Sequence, residues 1–294
     1  MAQPSDEITF VHNYPGLFLE EAVRHENFSM SRRHYHESVE LYFLLEGERF
    51  YFVEQDTYRL SSHMAMLVGR NRIHKTSMTG ANPYHKRFLL QFDPQLYSPV
   101  LESVGLPSWD KIEEKYGAVA SFADEDWDVI CRLIEHSKQL SSSPATQDSP
   151  LIRLHSLELL ALFLKNRSSC KSMGYKNADG DLMVQTGMYQ IVHEVARYLQ
   201  QHCTEKVSLD ELADLFYVSR SYLTRIFRSV TGFTITEYLT YLRIQKAQFL
   251  LSSTSFTITD IAELTGFGNV TYFERVFRST TGSTPRAYRR NHNI

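Results

Sequence analysis

The stretch SRSYLTRIFRSVTG, Ser219 to Gly232, returns fifty residues later as NVTYFERVFRSTTG, Asn269 to Gly282. Tyr222 aligns with Tyr272, Arg225 with Arg275, Phe227-Arg228-Ser229 with Phe277-Arg278-Ser279, and Thr231-Gly232 with Thr281-Gly282. Upstream the match continues at an offset of 49, with Leu209, Leu212, Ala213 and Leu215 against Ile258, Ile261, Ala262 and Leu264. One extra residue in the second copy's turn makes up the difference. Each copy therefore reads as helix, short turn, helix. Ser208 with Glu211, and Thr257 with Asp260, are capping-box pairs that start the first helices. Ser219 and Asn269 are good N-caps for the second helices. Gly266 and Gly268 suit the second copy's turn. This is the helix-turn-helix pattern, whose second helix can enter a DNA major groove.

Between the copies lies TITEYLTYLRIQKAQFLL, from Thr234 to Leu251. Thr234 and Glu237 cap its start, and Tyr238, Leu242, Ala247 and Leu250 are spaced for burial. Such a helix is a rod of roughly 26 Å. One rod carrying two recognition helices can address successive major grooves, roughly 34 Å apart on one DNA face.

These residues resemble the AraC/XylS family of bacterial transcription regulators. The family's C-terminal signature is matched by Arg243, Ala247, Ile261-Ala262, Gly266-Phe267, Tyr272-Phe273, Phe277, Gly282 and Thr284-Pro285. The resemblance covers Gln190 to Arg290. It implies base-facing side chains at Arg220, Ser221, Thr224 and Arg225 in the first copy and Val270, Thr271, Glu274 and Arg275 in the second. Arginine can donate two bonds to guanine, a valine or threonine methyl can pack on thymine, and a glutamate can accept from cytosine. Leu223, Ile226, Phe227, Phe273, Val276 and Phe277 are expected to face inward. Arg228, Arg278, Arg286, Arg289 and Arg290 suit phosphate contact. The resemblance further implies double-stranded DNA, a small-molecule effector and RNA polymerase as partners, and a homodimer.

The chain has 294 residues, 43% hydrophobic and 22% charged, which suits a soluble protein of two domains. Net charge is −3, unevenly spread: from Met188 onward 12 Lys+Arg face 9 Asp+Glu, a local +3. A basic back half suits a polyanion. The opening MAQPSDEITF has no basic run followed by an apolar one, and no apolar run reaches about 18 residues. No leader, no membrane and a cytoplasmic location are expected. Cys131, Cys170 and Cys203 show neither a disulfide framework nor zinc spacing.

Four segments are expected. Residues 1–93 read as strands, with β-prone runs at Tyr42-Phe43-Leu44-Leu45, Phe50-Tyr51-Phe52-Val53 and Phe88-Leu89-Leu90, and a turn at Glu46-Gly47-Glu48. Residues 94–167 turn helical, with Trp127, Ile130, Leu133 and Ile134 at helical spacing. Pro150 opens a helix that is apolar on nearly all sides through Leu151, Leu154, Leu157, Leu160, Ala161 and Leu164, hence a candidate dimerisation element. Residues 168–187 read as a linker, and 188–294 as helical.

The front stretch HYHESVELYFLLEG, His34 to Gly47, has the form His-x-His-x-x-x-Glu-x6-Gly. His34, His36, Glu40 and Tyr42 share strand parity, so all can face one interior. This resembles the first cupin motif, although Phe28 stands where its preceding glycine belongs. GRNRIH offers His74 as counterpart to the second motif, with Asn71 in the glycine place because Asn tolerates positive φ. The fold class expected is α+β: a cupin-like β-barrel, a helical dimerisation segment and an all-α domain with two helix-turn-helix units. His34, His36, Glu40, Tyr42 and His74 are then effector-binding candidates, with Tyr42 or Tyr51 stacking on a sugar ring as a first guess. Satisfied core histidines, or an Fe- or Mn-dependent dioxygenase or isomerase with an appended DNA-targeting module, are the competing readings. The reading adopted is a regulator, with no catalytic residue, no metal and no cofactor expected.

Overall fold

The computed structural model describes residues 7–25, 36–79, 83–115, 119–147, 149–168 and 182–292. The chain divides into two units, Met1–Lys176 and Asn177–Ile294. The sequence reading's linker falls largely on residues 169–181, which lie outside the described ones, as do His34, Phe28 and Cys170.

Unit 1 is an antiparallel sheet built from β1 (Glu7–Tyr14), β2 (Leu17–Arg24), β3 (Val39–Val53), β4 (Asp56–Ser61), β5 (Met64–Val68), β6 (His74–Met78), β7 (His85–Phe92), β8 (Val119–Ser121) and β9 (Arg167–Ser168). The order runs β1-β2-β7-β3-β5-β8-β9, with β4 and β6 flanking the far half of β3. The turn expected at Glu46-Gly47-Glu48 is not one. Tyr42–Leu45 and Phe50–Val53 belong to a single strand, and the register against β7 slips between Leu44 and Glu46. Gly47 does take the positive φ of a turn residue, +92°, and a Cβ there would lie 2.5 Å from the Tyr84 carbonyl oxygen. The result is a bulge that redirects β3 from one ladder into another rather than reversing it.

The bulge sets which side chains face where. Val39, Leu41 and Phe43 join Leu19, Phe88, Leu90 and Phe92 in a core roofed by helices. Glu40, Tyr42 and Leu44 face the other way. One extra residue flips the parity, so Tyr51 lies beside Tyr42, ring centroids 5.1 Å apart, although nine positions separate them.

The roof consists of α1 (Pro94–Ser103), α2 (Trp109–Lys115), α3 (Asp124–Ser141) and α4 (Pro150–Asn166). Trp127, Ile130 and Ile134 are buried as their spacing requires. Strand β8 interrupts this otherwise helical block, since three residues paired on β5 carry no period readable in sequence. Helix α4, capped by Ser149 with Pro150 in its first turn, is not buried all round. Leu157, Leu160 and Leu164 are buried, whereas Leu151 is 41% and Leu154 54% exposed.

Unit 2 is helical: α5 (Leu182–Gln201), α6 (Leu209–Leu215), α7 (Arg220–Thr231), α8 (Ile235–Ser253), α9 (Ile258–Leu264), α10 (Val270–Thr281) and α11 (Pro285–His292). Helix α5 begins within the segment read as linker, at Leu182 rather than Met188. Among the described residues no helix is long and apolar enough to cross a membrane.

Candidate DNA-reading helices and a buried polar chamber

The two helix-turn-helix units share local chemistry as well as sequence. All three expected capping boxes are closed: Ser208 with Glu211, Thr257 with Asp260 and Thr234 with Glu237. Ser219 and Asn269 each accept the amide three residues on, from Tyr222 and Tyr272. At the other end Gly232 and Gly282 take φ of 80° and 74° and return their amides to Arg228 and Arg278. Thr231 and Thr281 donate back to the carbonyls of Phe227 and Phe277. The repeated letters of the opening stretch are thus cap and core residues first.

The turns correspond too. Gly266 stands at φ 79°, and its counterpart is Tyr217 at φ 54°. Their successors Phe267 and Val218 make the same bond, to the Ala262 and Ala213 carbonyls. Gly268 has no positive φ and is the inserted residue.

Leu223, Ile226, Phe227, Phe273 and Phe277 are buried, and Val276 is partly so. The opposite faces are open. A concavity beside α7 is lined by Arg220, Ser221, Thr224, Arg225, Arg228 and Ser229. One beside α10 is lined by Thr271, Glu274, Arg275, Arg278, Ser279 and Arg286. Arg225 lies over the Tyr222 ring at 5.5 Å and Arg275 over Tyr272 at 5.3 Å, so the two guanidiniums are aimed alike. Arg220 is drawn to Asp210 at 3.4 Å on the exposed surface. Val270 departs from the expected set, because it packs against the core of Ile261, Phe267, Phe273 and Phe277.

Helix α8 packs against the helices of both copies. Arg243 extends the link: it donates to the carbonyls of Cys203 (2.7 Å) and Glu205 (2.8 Å) and lies 5.9 Å from the Phe267 ring. The Thr204 carbonyl oxygen approaches Gly266 so closely that a Cβ would lie 2.6 Å from it.

In unit 1 the residues on the inner face of β3 form a buried polar cluster, called the chamber. Glu40 is 4% exposed. Its Oε1 accepts from the Tyr51 hydroxyl at 2.8 Å. Its Oε2 accepts from Gln91 at 3.1 Å and stands 3.1 Å from His36 Nε2 and 3.7 Å from His74 Nε2. The other ring nitrogens lie 2.9 Å from the backbone carbonyls of Ser38 and Arg72. Asn71 adopts φ 55° and bonds the His36 carbonyl, so the turn before His74 holds without glycine. Burial raises the Glu40 carboxyl, but the charge of His74 and bonds from both histidines outweigh it and hold it well below the usual range. Burial lowers His36, and the Glu40 partner more than restores it. Burial and the Glu40 charge push the Tyr51 hydroxyl well up. His36, Glu40 and His74 offer three donor atoms within 4.8 Å of one another, a set that a divalent transition metal accepts.

Of the expected pocket residues, His36, Glu40, Tyr42 and His74 do converge. Gln91 and Tyr51 complete the cluster. Gln91 faces Glu40 across the β3–β7 ladder, and that pairing is invisible before the strands are in register.

A helix-turn-helix domain family matches residues 212–291. The bifunctional transcriptional activator and DNA repair enzyme AdaA of Bacillus subtilis (strain 168) is 35% identical over 32% of this chain and 45% of its own. The transcriptional activator RhaS of Enterobacter sp. (strain 638) is 30% identical over 51% of each chain. A solved transcriptional regulator with an AraC-type DNA-binding domain, from Chromobacterium violaceum, is 29% identical over 36% of this chain and 95% of its own, with a TM-score of 0.35. The chain thus spans about half the length of the two curated relatives. With two equivalent helix-turn-helix units braced on α8, residues 212–291 form a helix-turn-helix domain similar to those of the transcriptional activators AdaA and RhaS.

Proposed function

We propose that the chain binds double-stranded DNA through α7 and α10, reads two adjacent major-groove segments, and answers to a small polar molecule held in the chamber of unit 1. The observation that carries this is the pair Arg225 and Arg275, equivalent in sequence, each open to solvent and each steadied over its own tyrosine. Ser221, Thr224, Thr271 and Glu274 stand beside them as further base readers, Arg220 and Val270 with less freedom to reach. Helix α8, 19 residues long, spans about 28 Å and brings the two reading helices near the 34 Å groove repeat. The sheet of unit 1 is then a cupin-like barrel used as a sensor, without catalysis, in a cytoplasmic regulator that pairs with a second copy and works with RNA polymerase.

Selection of a binding site from random DNA, followed by Arg225→Ala and Arg275→Ala, tests the reading. Each variant is expected to lose about 1–3 kcal/mol and to relax preference at one base position. Unchanged affinity and preference in either variant removes that helix from the interface. A second reading, a metalloenzyme, is favoured by the donor set His36, Glu40 and His74 alone. Stoichiometric iron or manganese in purified protein, lost in His36→Ala, is its test.

A further inference from the structure

The inner face of the sheet carries a second polar group, away from Glu40. Along β7 the residues on that face are His85, Arg87, Leu89 and Gln91. Gln91 pairs with Glu40 and Arg87 with Leu44, so these two points of the row lie about 13 Å apart along the strands. The parity flip at the bulge brings Arg49 onto the same face as Tyr51. Arg24 enters from β2, opposite His85. Arg49 is completely buried.

Tyr42 lies on the same face, within the field of these three guanidiniums. Arg87, Arg49 and Arg24 all act on its hydroxyl electrostatically, and Arg87 lies 6.0 Å from the ring centroid. Tyr42 is 3% exposed, and its hydroxyl makes no hydrogen bond among the described residues. Arg87 Nη2 donates to Glu20, whereas the buried Nη1 donates to no described residue. A buried phenol and a buried guanidinium N–H that lack acceptors are costly, and an acceptor brought by a ligand removes that cost. Burial, then the charges of Arg49, Arg87 and Arg24, hold His85 down to about 4, so this end of the chamber has a positive potential.

We propose that the ligand of unit 1 carries an anionic group, a carboxylate or a phosphate, which Arg24, Arg49 and Arg87 hold together with the Tyr42 hydroxyl. Its remaining polar groups reach toward Gln91, His36 and Glu40. A neutral sugar would use that second end but bring no charge to Arg87 Nη1 and the Tyr42 hydroxyl. This rests on the reading of the chamber as a ligand site. It replaces the plain carbohydrate expected from sequence with an acidic or phosphorylated small molecule.

Full-length protein titrated by calorimetry with glucose, glucuronate, glucose 6-phosphate, acetate and inorganic phosphate, at one ionic strength, tests it. At least one anionic probe should saturate a single site, with glucose at least tenfold weaker. Which probes bind separates carboxylate from phosphate. Tyr42→Phe should weaken the binding about tenfold without lowering the melting temperature, because the hydroxyl it removes has no partner in the free protein. Glucose binding as tightly as its anionic congeners overturns the anion and leaves the sensor reading standing, and so does failure of all the anionic probes. Binding that survives Tyr42→Phe and Arg49→Gln but disappears in Arg225→Ala/Arg275→Ala places the anion on the DNA-reading surface and also overturns it. Conversely, an anion that binds with the expected Tyr42 dependence yet leaves DNA affinity unchanged sinks the sensor reading and keeps the site.

Discussion

Tyr217 holds a left-handed backbone, φ 54°, with its side chain 95% exposed. The first turn therefore bears strain that its ring does nothing to repay. Tyr217→Gly is expected to raise stability by up to about 1 kcal/mol in urea unfolding, or to leave it unchanged where the added freedom of the unfolded chain cancels the relief. The mirror experiment is Gly266→Ala. It adds a Cβ at φ 79° and 2.6 Å from the Thr204 oxygen, so a loss above about 1 kcal/mol is expected, with weaker DNA binding through the displaced turn. His85 offers a pH signature. Its folded value is about 4 against an ordinary 6.5, because burial and the neighbouring arginines oppose its charge. Above pH 6.5 both folded and unfolded chains hold it neutral. Between 6.5 and 4 the unfolded chain takes a proton that the folded one refuses, so stability falls with acid by about 3 kcal/mol in all. Unfolding curves at pH 7 and pH 4.5 should lie closer together for His85→Gln than for the wild type.

At the scale of elements, α4 separates two roles that its leucines share in sequence. Leu157 is 5% exposed within the core under the sheet, and Leu154 is 54% exposed. Leu157→Glu places a charge in that core and is expected to unfold unit 1. Leu154→Glu should fold normally and, if this face meets a second copy, sediment as a monomer where the wild type is a dimer. Wild-type protein that sediments as a monomer at micromolar concentration, with and without DNA, removes α4 from any interface. The helices of unit 2 were legible at this scale because their signals are local. Capping boxes, N-caps and terminal glycines act within three or four residues, so Ser208, Thr234, Thr257, Ser219 and Asn269 announce their helices unaided. Strand β8 and the continuity of β3 were not legible, because strand pairing is non-local and a bulge glycine carries the same letters as a turn glycine.

For the whole molecule, the arginines that line both concavities are expected to make DNA affinity salt-dependent. Arg290→Ala should weaken all sequences alike and flatten the slope of log affinity against log salt by about one, in contrast to the base-selective losses at Arg225 and Arg275. Fluorescence anisotropy over a salt series distinguishes the two behaviours. The amino-acid sequence by itself determined the duplicated helix-turn-helix units, their boundaries, their inward faces and the outward Arg225 and Arg275. Each of these follows from helical period and capping, which the chain carries locally. It also placed His36, Glu40, Tyr42 and His74 together, since strand parity and one turn suffice for that. Only the tertiary structure decided that Val270 leans into a core, that α4 has an open face, and that Gln91, Arg49 and Arg87 join the same face as Tyr42 and Tyr51. The first two depend on packing between elements, and the last on register between strands far apart in the chain. A single extra residue at the Gly47 bulge exchanges the two faces of a sheet, and nothing local tells the chain's letters which face is the inner one.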